Sequence, residues 1–377
     1  MGILRRIALG LLAPLLAACA ILETEADRTA TVGVLLPTDA RDPALAHLGG
    51  ELANAAALAS ADLDGASVKV LVFPTAGTPE QAARAAAAAA KAGAGILLGP
   101  LFADETRAAA TIADASEIKL LSLADTAEPQ PGTVYTIGMS PDTVARRITE
   151  NARADGLRRF GVVYQNTQAG RAGRDAVRGA LAGTDAQLLL ELGYRPGTAV
   201  ITRRISDIAA AVRSSDIDAL IFTDAPEGRL AFVTEALRGR GIRPGAVRFF
   251  GLTDWNRDTD GLKRPGLQGG RFAAPDPTLL KRFEDRYTAA YGAAPPDEAA
   301  LVYDGIAAVG ALLADAQGED PFSRNRIEDR AGFAGVNGIF RLRADGGIDR
   351  ALTVFEVSLG TARTIDPAPR RFSTPGS

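Results

Sequence analysis

Residues 95–102 read GILLGPLF, a short apolar run that ends at Gly99 and Pro100. Continuous apolar runs of this length are typical of buried parallel strands, and the Gly-Pro pair predicts the loop that follows. The alanine-rich residues 78–91 before it predict a helix, and a second helical pattern follows over residues 104–115. This order of helix, strand, loop and helix is the repeating unit of an α/β fold.

The loop that leaves this strand is where a ligand site is expected. In open α/β sheets, ligands bind outside the carboxyl ends of the strands. Leu101 and Phe102 come directly after the buried run. We therefore expect Leu101 and Phe102 to line any ligand site that the fold carries.

Strand and helix patterns alternate along most of the chain. Apolar and β-branched runs predict strands at residues 31–37, 67–73, 96–98, 118–123, 134–137, 160–164, 186–193, 217–223 and 247–252. Amphipathic or alanine-rich patterns predict helices at residues 43–63, 78–91, 104–115, 141–154, 173–181, 200–212, 227–238, 279–291 and 298–316. Because the series starts again at Pro141, it predicts two similar parallel-sheet lobes rather than one sheet.

The last third of the chain carries other patterns. Residues 269–274 read GGRFAA and are followed by prolines, which predicts a connection. Residues 338–342 and 352–359 predict a β-hairpin around the glycine-rich turn at residues 344–347. Residues 361–377 are rich in Pro, Ser and Arg, which predicts a disordered tail.

Composition limits the classes of function. A chain of 377 residues can form two or three domains, and 47% hydrophobic with 23% charged residues is ordinary for a soluble globular protein. The net charge of −3 argues against a nucleic-acid partner.

The chain has one histidine, His47, and one cysteine, Cys19. This excludes disulfides within the chain, Cys/His zinc sites and Cys-His nucleophilic pairs. A Ser-His-Asp triad would have to use His47, which lies in the first predicted helix, where a place on the helix surface or a pocket rim is favoured. We therefore expect no catalytic residue, no metal site and no cofactor.

The N-terminal residues 1–19 read MGILRRIALGLLAPLLAAC, a basic segment and then an apolar segment too short to span a bilayer. Leu-Ala-Ala-Cys at residues 16–19 resembles a bacterial lipobox, which implies removal of the signal peptide and diacylation of Cys19. The alternative is an ordinary secretory signal with a chance cysteine. Ala20 stands where an Asp is the familiar signal for inner-membrane retention, so the resemblance implies an outer-membrane anchor facing the periplasm. Residues 20–30 predict a short polar tether.

Several short motifs occur in a family-like order. They are VGVLLP at 32–37, ILLGP at 96–100, GVVY at 161–164, a Phe…Tyr…Tyr-Gly pattern at 283–292, Tyr-Asp at 303–304 and GVNGIF at 335–340. In this order and spacing the chain resembles the type I periplasmic binding proteins, whose fold is used by branched-chain amino-acid receptors. The resemblance covers roughly residues 31–360.

This resemblance implies an α/β fold of two similar parallel-sheet lobes joined by three crossovers. The implied crossovers lie near residues 139–140, 271–275 and 335. The implied first lobe is residues 31–139 with 275–335, and the implied second lobe is residues 140–274 with 336–360.

Within this fold, LGPLF at residues 98–102 on a lipoprotein is most similar to the penicillin-binding-protein activators. This similarity implies a lipid-anchored, non-enzymatic regulator whose partner is a bifunctional penicillin-binding protein. Contact with this regulator would shift the peptidoglycan synthase toward an active conformation. The alternative is the substrate-binding receptor of an ABC importer for amino acids, amides or peptides, with a small ligand in the interlobe cleft.

The residues after Gly-Pro bear on this choice. An amino-acid receptor of the family holds the ligand carboxylate with small hydroxyl residues there, but this chain has Leu101 and Phe102. Asp104 and Glu105 place negative charge at the start of the following helix, where it is expected to repel a second carboxylate. The pattern therefore argues against a free α-amino acid as the ligand.

Further candidate cleft residues follow the predicted strands at their carboxyl ends. They are Asp125, Thr126, Tyr164, Gln165, Asn166, Asp224, Asp254 and Trp255. Trp255, the only tryptophan, is compatible with a stacking wall for a sugar or peptide and equally with packing inside a lobe. For the others the alternative is the capping of loops.

Overall fold

The computed structural model describes residues 29–125, 130–195, 198–224, 230–316 and 318–372. The predicted signal peptide, Cys19 and the tether up to residue 28 lie outside the described residues. Thr126 and residues 373–377 also lie outside them.

Strands and helices alternate along the chain. The strands are β1 (Thr29–Leu36), β2 (Ser67–Pro74), β3 (Ile96–Leu98), β4 (Lys119–Ser122), β5 (Val134–Thr136), β6 (Arg159–Gln165), β7 (Gln187–Tyr194), β8 (Ala219–Phe222), β9 (Arg248–Gly251), β10 (Arg271–Ala274), β11 (Phe333–Gly335), β12 (Gly338–Leu342), β13 (Ile348–Arg350), β14 (Thr353–Ser358) and β15 (Thr361–Asp366). The α-helices are α1 (Pro43–Ala61), α2 (Pro79–Lys91), α3 (Ala103–Ala115), α4 (Pro141–Ala154), α5 (Gln168–Leu181), α6 (Thr198–Ser214), α7 (Ala231–Arg238), α8 (Pro277–Tyr291), α9 (Ala299–Ala314) and α10 (Arg324–Ile327).

Several helices begin by the same local rule. A side chain with a free oxygen caps the first turn, and a proline takes the first helical position, where its missing N–H costs no hydrogen bond. The capping pairs are Asp42-Pro43, Thr78-Pro79, Ser140-Pro141 and Asp276-Pro277. These pairs explain why the starts of α1, α2, α4 and α8 lie within two residues of the sequence prediction.

The first sheet has five parallel strands in the order β2-β1-β3-β4-β5. Alanines of α2 and α3 pack on one face of it, with Leu35 and Leu97. Helices α1 and α9 pack on the other face, with Val34, Ile96 and Leu98. Because both faces are covered, β3 is wholly buried, as its continuous apolar sequence predicts.

The second sheet has seven strands in the order β15-β14-β10-β9-β8-β6-β7. Strands β6 to β10 pair in parallel, whereas β14 and β15 are antiparallel additions at one edge. Helices α4 and α5 cover one face, and α6 and α7 cover the other. The two lobes, each a largely parallel sheet between helices, confirm the predicted fold class.

The third crossover differs from the prediction. Strands β11, β12 and β13 form a small antiparallel sheet, and Phe340, Leu342 and Ile348 pack in the core of the first lobe. Leu352 and Val354 pack in the second lobe. The chain therefore crosses between β13 and β14, and the predicted crossover near residue 335 was wrong, with residues 336–350 belonging to the first lobe.

Three other predictions for the C-terminal part were wrong. The hairpin predicted between residues 338–342 and 352–359 forms instead between β12 and β13, and β14 pairs with β10 and β15 in the other sheet. Residues 271–274, expected in a connection, form the buried strand β10, which pairs with β9 and β14. Residues 361–366, expected in a disordered tail, form β15, which pairs with β14. Strand β10 depends on a partner distant in sequence, β14, and β15 has a polar, largely exposed sequence, so local pattern predicts neither strand.

Helix α4 forms hydrogen bonds to the chain at the third crossover between the lobes. The Thr143 hydroxyl and the Arg146 guanidinium both donate to the Ile348 carbonyl, at 3.1 and 3.0 Å. Arg147 Nε donates to the Leu352 carbonyl at 2.7 Å. Since α4 belongs to the second lobe and β13 to the first, the two bonds to Ile348 restrain the hinge between the lobes, while the bond to Leu352 lies within the second lobe.

The hairpin of β14 and β15 turns through Leu359 and Gly360, whose φ angles are +53° and +76°. Leu359 is 96% exposed, so its left-handed backbone is not offset by packing. We expect Leu359→Asn to raise the free energy of unfolding by about 0.5–1 kcal/mol, because Asn adopts this conformation more readily. Urea unfolding measures the change. Leu189→Asn on β7, where the backbone is extended, is the control and should bring no gain.

Candidate functional site

The crossovers bring the carboxyl ends of both sheets to the same hinge. The chain leaves the first lobe after the carboxyl end of β5 and returns to it after the carboxyl end of β10. Strand β14 is antiparallel to β10, so it also enters the second lobe at that end. The loops that leave the parallel strands of both lobes therefore border one interlobe cleft, where α/β proteins bind ligands.

On the first lobe, Phe102 occupies the N-cap position of α3 and makes no side-chain capping bond. Its side chain is 41% exposed, whereas Leu101 is half-buried against the core. Gly99 has a φ angle of +95°, and a Cβ there would overlap the carbonyl oxygen of Leu35. Only glycine fits this position, and it fixes the path by which Leu101 and Phe102 leave β3.

Two hydroxyl residues beside this loop were missed in the sequence. Thr106 Oγ1 donates to the Phe102 carbonyl at 3.0 Å, and the Ser122 hydroxyl lies 2.8 Å from Thr106 Oγ1. Ser122 Oγ also accepts from the Ala124 amide. Both side chains are buried and satisfied within the lobe, so neither offers a free hydroxyl to a ligand.

The charge at the start of α3 differs from the expectation. Asp104 is on the surface and pairs with Arg107 at 2.8 Å. Glu105 is 1% exposed, accepts a long hydrogen bond from Thr75 at 3.4 Å, and has its pKa raised by burial to about 7. Near neutral pH a large fraction of Glu105 is therefore uncharged. The predicted repulsion of a ligand carboxylate by Asp104 and Glu105 loses most of its physical basis.

On the second lobe, Tyr164 and Gln165 end β6 and are half-buried. The Asn166 amide donates to the Tyr194 carbonyl at 2.7 Å, which holds the loop against the end of β7. The Arg174 guanidinium lies 5.2 Å from the centre of the Tyr164 ring, and Arg174 Nη1 donates to its hydroxyl at 3.4 Å. Tyr164 is thus fixed by a cation–π contact.

Asp224 lies just beyond the end of β8 and is buried. The Tyr194 hydroxyl donates to Asp224 Oδ2, and the Thr253 hydroxyl donates to its backbone carbonyl at 3.0 Å. Tyr194, at the end of β7, is a buried partner of Asp224 that sequence reasoning missed. The structure brings it together with Asp224.

Asp254 and Asp125 occupy different environments. Asp254 is half-buried, and its Oδ1 accepts from the Asn256 amide at 2.9 Å at the start of a short 3₁₀ helix. Burial raises the pKa of the Asp254 carboxyl. This contact matches the loop-capping alternative. Asp125, after β4, is exposed.

Trp255 is fully buried in the second lobe. Its ring lies 5.5 Å from the Phe272 ring, and it packs on Gly251 and Gly270, where a Cβ would overlap it. The structure favours the packing alternative over the stacking wall, because the ring faces the core and leaves no surface for a sugar or peptide.

The described residues carry little else of catalytic type. His47 is exposed on α1, with Nε2 3.4 Å from a carboxylate oxygen of Glu51. Among the described residues, no cluster of three or more His, Cys, Asp or Glu side chains could hold a metal ion. Within the same ranges, every helix is too short or too polar to span a bilayer.

Comparison with solved structures gives a consistent picture of the fold. A putative branched-chain amino acid ABC transporter protein from Rhodospirillum rubrum is 22% identical, with a TM-score of 0.75, over 89% of this chain and 100% of that one. A solute binding protein from R. palustris in complex with benzoate is 17% identical, with a TM-score of 0.59, over 90% and 97%. The leucine binding protein LivK from Thermotoga maritima is 18% identical, with a TM-score of 0.55, over 89% and 97%.

At these identities the solved structures show a shared fold alone. A search of curated proteins finds no match. The family profile for periplasmic binding proteins matches residues 29–362, which includes both lobes and all three crossovers. The chain therefore belongs to the periplasmic binding protein family, with the type I fold.

Proposed function

We propose that this protein is a periplasmic solute receptor that binds a small ligand between its lobes and catalyses no reaction. The observation that carries the proposal is the pair of unlike walls at the carboxyl ends of the two sheets. The first lobe presents the half-exposed ring of Phe102, and the second presents Gln165 and the Asp254 carboxyl, which are both half-buried. A few polar groups facing an apolar wall are the usual composition of a small-molecule site.

The walls favour a ligand with an apolar part and an amino or amide group. Phe102 and Leu101 suit the apolar part, while the half-buried Asp254 carboxyl suits a hydrogen-bond donor or a cation. The backbone N–H groups in the first turn of α3 suit a carboxylate, since Phe102 leaves them without a side-chain cap. Amino acids, amides and short peptides meet this description, as the receptor alternative from the sequence requires.

The reduced charge of Glu105 supports this choice over the activator. The sequence argued against an amino acid because two carboxylates stood at the start of α3. One of them, Asp104, is paired with Arg107 at the surface, and burial raises the pKa of Glu105 to about 7. A ligand carboxylate would therefore meet little net negative charge there.

A ligand screen by thermal unfolding tests the proposal. We expect one class among leucine, benzoate, amino-acid amides and dipeptides to stabilise the protein by about 2.7 kcal/mol at a hundredfold excess over its Kd. Phe102→Ala and Gln165→Ala should each weaken that ligand about tenfold in titration calorimetry, since each removes one wall contact.

Matched variants away from the cleft control for general damage. Leu189→Ala on β7 removes a side chain of similar exposure, 45% against 41% for Phe102. Gln187→Ala changes the same residue type at the amino end of β7. Both should leave the affinity unchanged. Failure of every ligand class, or equal losses in the control variants, would contradict a solute site in the cleft.

The second candidate function is activation of a penicillin-binding protein, with the lipid on Cys19 as its anchor. The observation that favours it is that the two hydroxyl side chains described beside Phe102, those of Thr106 and Ser122, bond to each other and are not free for a ligand. An exposed aromatic ring at a cleft edge also suits a protein contact. Surface plasmon resonance with a purified bifunctional synthase tests this candidate, and Phe102→Ala should weaken the contact if it is correct.

A further inference from the structure

We propose that a cavity at the outer edge of the first lobe is a second binding site, which takes a short zwitterionic peptide with small apolar side chains. The cavity has a volume of about 450 Å³ and lies between the loops that follow β1 and β2. Strands β2 and β5 form the two edges of the first sheet. The chain crosses to the second lobe after β5, so the cavity lies at the other edge, beside β2. All of its lining residues belong to the first lobe. The cavity lies at the carboxyl end of the sheet, as the cleft does, but at its edge strand, and none of its lining residues is proposed for the cleft, so the inference goes beyond the proposed solute site.

The inner lining of the cavity is apolar and small. Ala40 and Leu45 contribute from the loop after β1 and the first turn of α1, and Ala76 contributes from the loop after β2. All three are partly exposed rather than closed over by other side chains. A ligand that covers them gains from burial of apolar surface, provided that its own side chains are small.

Charged side chains of both signs stand at the rim. Arg41 and Arg84 line the cavity from two different elements, and within the described chain neither pairs with a carboxylate. Glu80 lies one turn before Arg84 on α2 and is likewise unpaired there. Asp42, by contrast, is engaged, because its Oδ1 accepts from the Ala44 amide at 2.9 Å. Two available guanidinium groups and one available carboxylate match a ligand with both charges.

The wall of the cavity is preformed. Ala76 has a φ angle of +53°, and its amide donates to Asp39 Oδ1 at 2.8 Å. Gly77 follows with a φ angle of +71°, and a Cβ there would lie 2.7 Å from Leu45 Cδ2. The loop is thus held in a backbone conformation that alanine rarely adopts and is packed directly on Leu45. Strain of this kind persists only where the surroundings fix it, so a ligand need not order the loop.

Volume and charge narrow the ligand class. Sites of 300–1,000 Å³ hold drug-sized molecules, so a volume of about 450 Å³ has room for a peptide of two or three residues. Glu80 and Asp42 would repel a dianion, and Arg41 and Arg84 would repel a polycation. A peptide of two or three residues places its terminal carboxylate on the guanidinium groups and its ammonium group on Glu80.

Titration calorimetry of the full unlipidated chain with trialanine tests the proposal. We expect saturable binding with a Kd below about 1 mM. Arg41→Gln and Arg84→Gln should each weaken it about tenfold, as should acetylation of the peptide's amino group or amidation of its carboxylate. Arg282→Gln, an exposed arginine on α8, is the matched control and should leave the affinity unchanged.

Cleft variants distinguish this site from the proposed solute site. Phe102→Ala and Gln165→Ala should leave trialanine binding unchanged, whatever they do to a cleft ligand. If these two variants remove trialanine binding and the two arginine variants do not, the peptide binds in the cleft and the second site is overturned. Absence of saturable binding to the unaltered chain up to about 10 mM overturns it as well.

Discussion

Asp304→Ala is expected to lower the free energy of unfolding by about 3–5 kcal/mol, because it leaves a buried guanidinium group without its counter-charge. Asp304 on α9 and Arg350 on β13 are both completely buried, and Arg350 Nη1 lies 2.6 Å from Asp304 Oδ2. Asp304 also accepts from the Val336 amide at 2.6 Å and from the Asn337 side chain at 3.0 Å. The carboxylate therefore holds together the small sheet next to the third crossover.

Substitution of Arg350, the partner of Asp304, tests the same ion pair from its other side. It also donates to the Ile137 carbonyl at 3.3 Å and lies 4.8 Å from the centre of the Phe340 ring. Arg350→Met should cost a similar amount alone, because Asp304 would then be the unpaired buried charge. The double variant should cost less than the sum of the two, by about 1–3 kcal/mol, since neither charge remains.

Chemical denaturation of the four proteins measures this coupling. Asp285→Ala, which breaks an exposed ion pair with Lys281 at 2.7 Å, is the control and should cost less than about 1 kcal/mol. A loss below about 1 kcal/mol for Asp304→Ala, or strict additivity in the double variant, would mean that the buried pair does not hold this part of the first lobe.

Glu105→Gln is expected to remove most of the pH dependence of stability between about pH 5 and 8. Burial raises the pKa of Glu105 from 4.5 to about 7, with the Thr75 hydroxyl and the backbone at Phe102 opposing the shift. A carboxyl whose pKa is higher in the folded state stabilises the fold fully below the unfolded-state pKa. That contribution is lost as the pH rises through the folded-state pKa.

The size of the effect follows from the shift. Each unit of pKa is worth about 1.4 kcal/mol, so the unaltered chain should lose up to about 3 kcal/mol between pH 4.5 and 8 through Glu105. The neutral Gln side chain does not ionise, so Glu105→Gln should be more stable than the unaltered chain at pH 8. Urea unfolding across this pH range measures the difference.

Asp104→Asn is the matched control for this experiment, because Asp104 is the neighbouring acid but lies on the surface. Its variant should keep the pH dependence of the unaltered chain. If Glu105→Gln also keeps that dependence, Glu105 is ionised in the folded protein near neutral pH. In that case Glu105 would repel a ligand carboxylate at the start of α3, as the sequence predicts.

Much of the fold can be predicted from local sequence. The continuous apolar run of β3 and the Ser140-Pro141 start of α4 lead to bounds that the structure repeats, Ile96–Leu98 and Pro141–Ala154. Strands β10 and β15 could not be predicted, because each is short and depends on β14 for its pairing. The third crossover was misplaced for a related reason: β12 and β13 pack on the first-lobe core through contacts distant in sequence.

Less of the candidate site than of the fold could be predicted from the sequence. The pattern places Asp224 at a strand end but does not report its bond with Tyr194. The burial of Glu105 could have been inferred, because it lies four and eight residues before Ala109 and Ala113 on the same buried helix face. The orientation of Trp255 could not, since it depends on space left by Gly251 and Gly270.

The most direct test of the central proposal is native mass spectrometry of this protein purified without denaturation from its own cells. A receptor with a closed cleft should carry a small molecule of defined mass, which denaturation releases and which Gln165→Ala protein carries at lower occupancy. The opposite result is that every preparation shows the mass of the chain without a ligand and that a bifunctional peptidoglycan synthase co-purifies. This result would contradict the receptor function and favour the activator function.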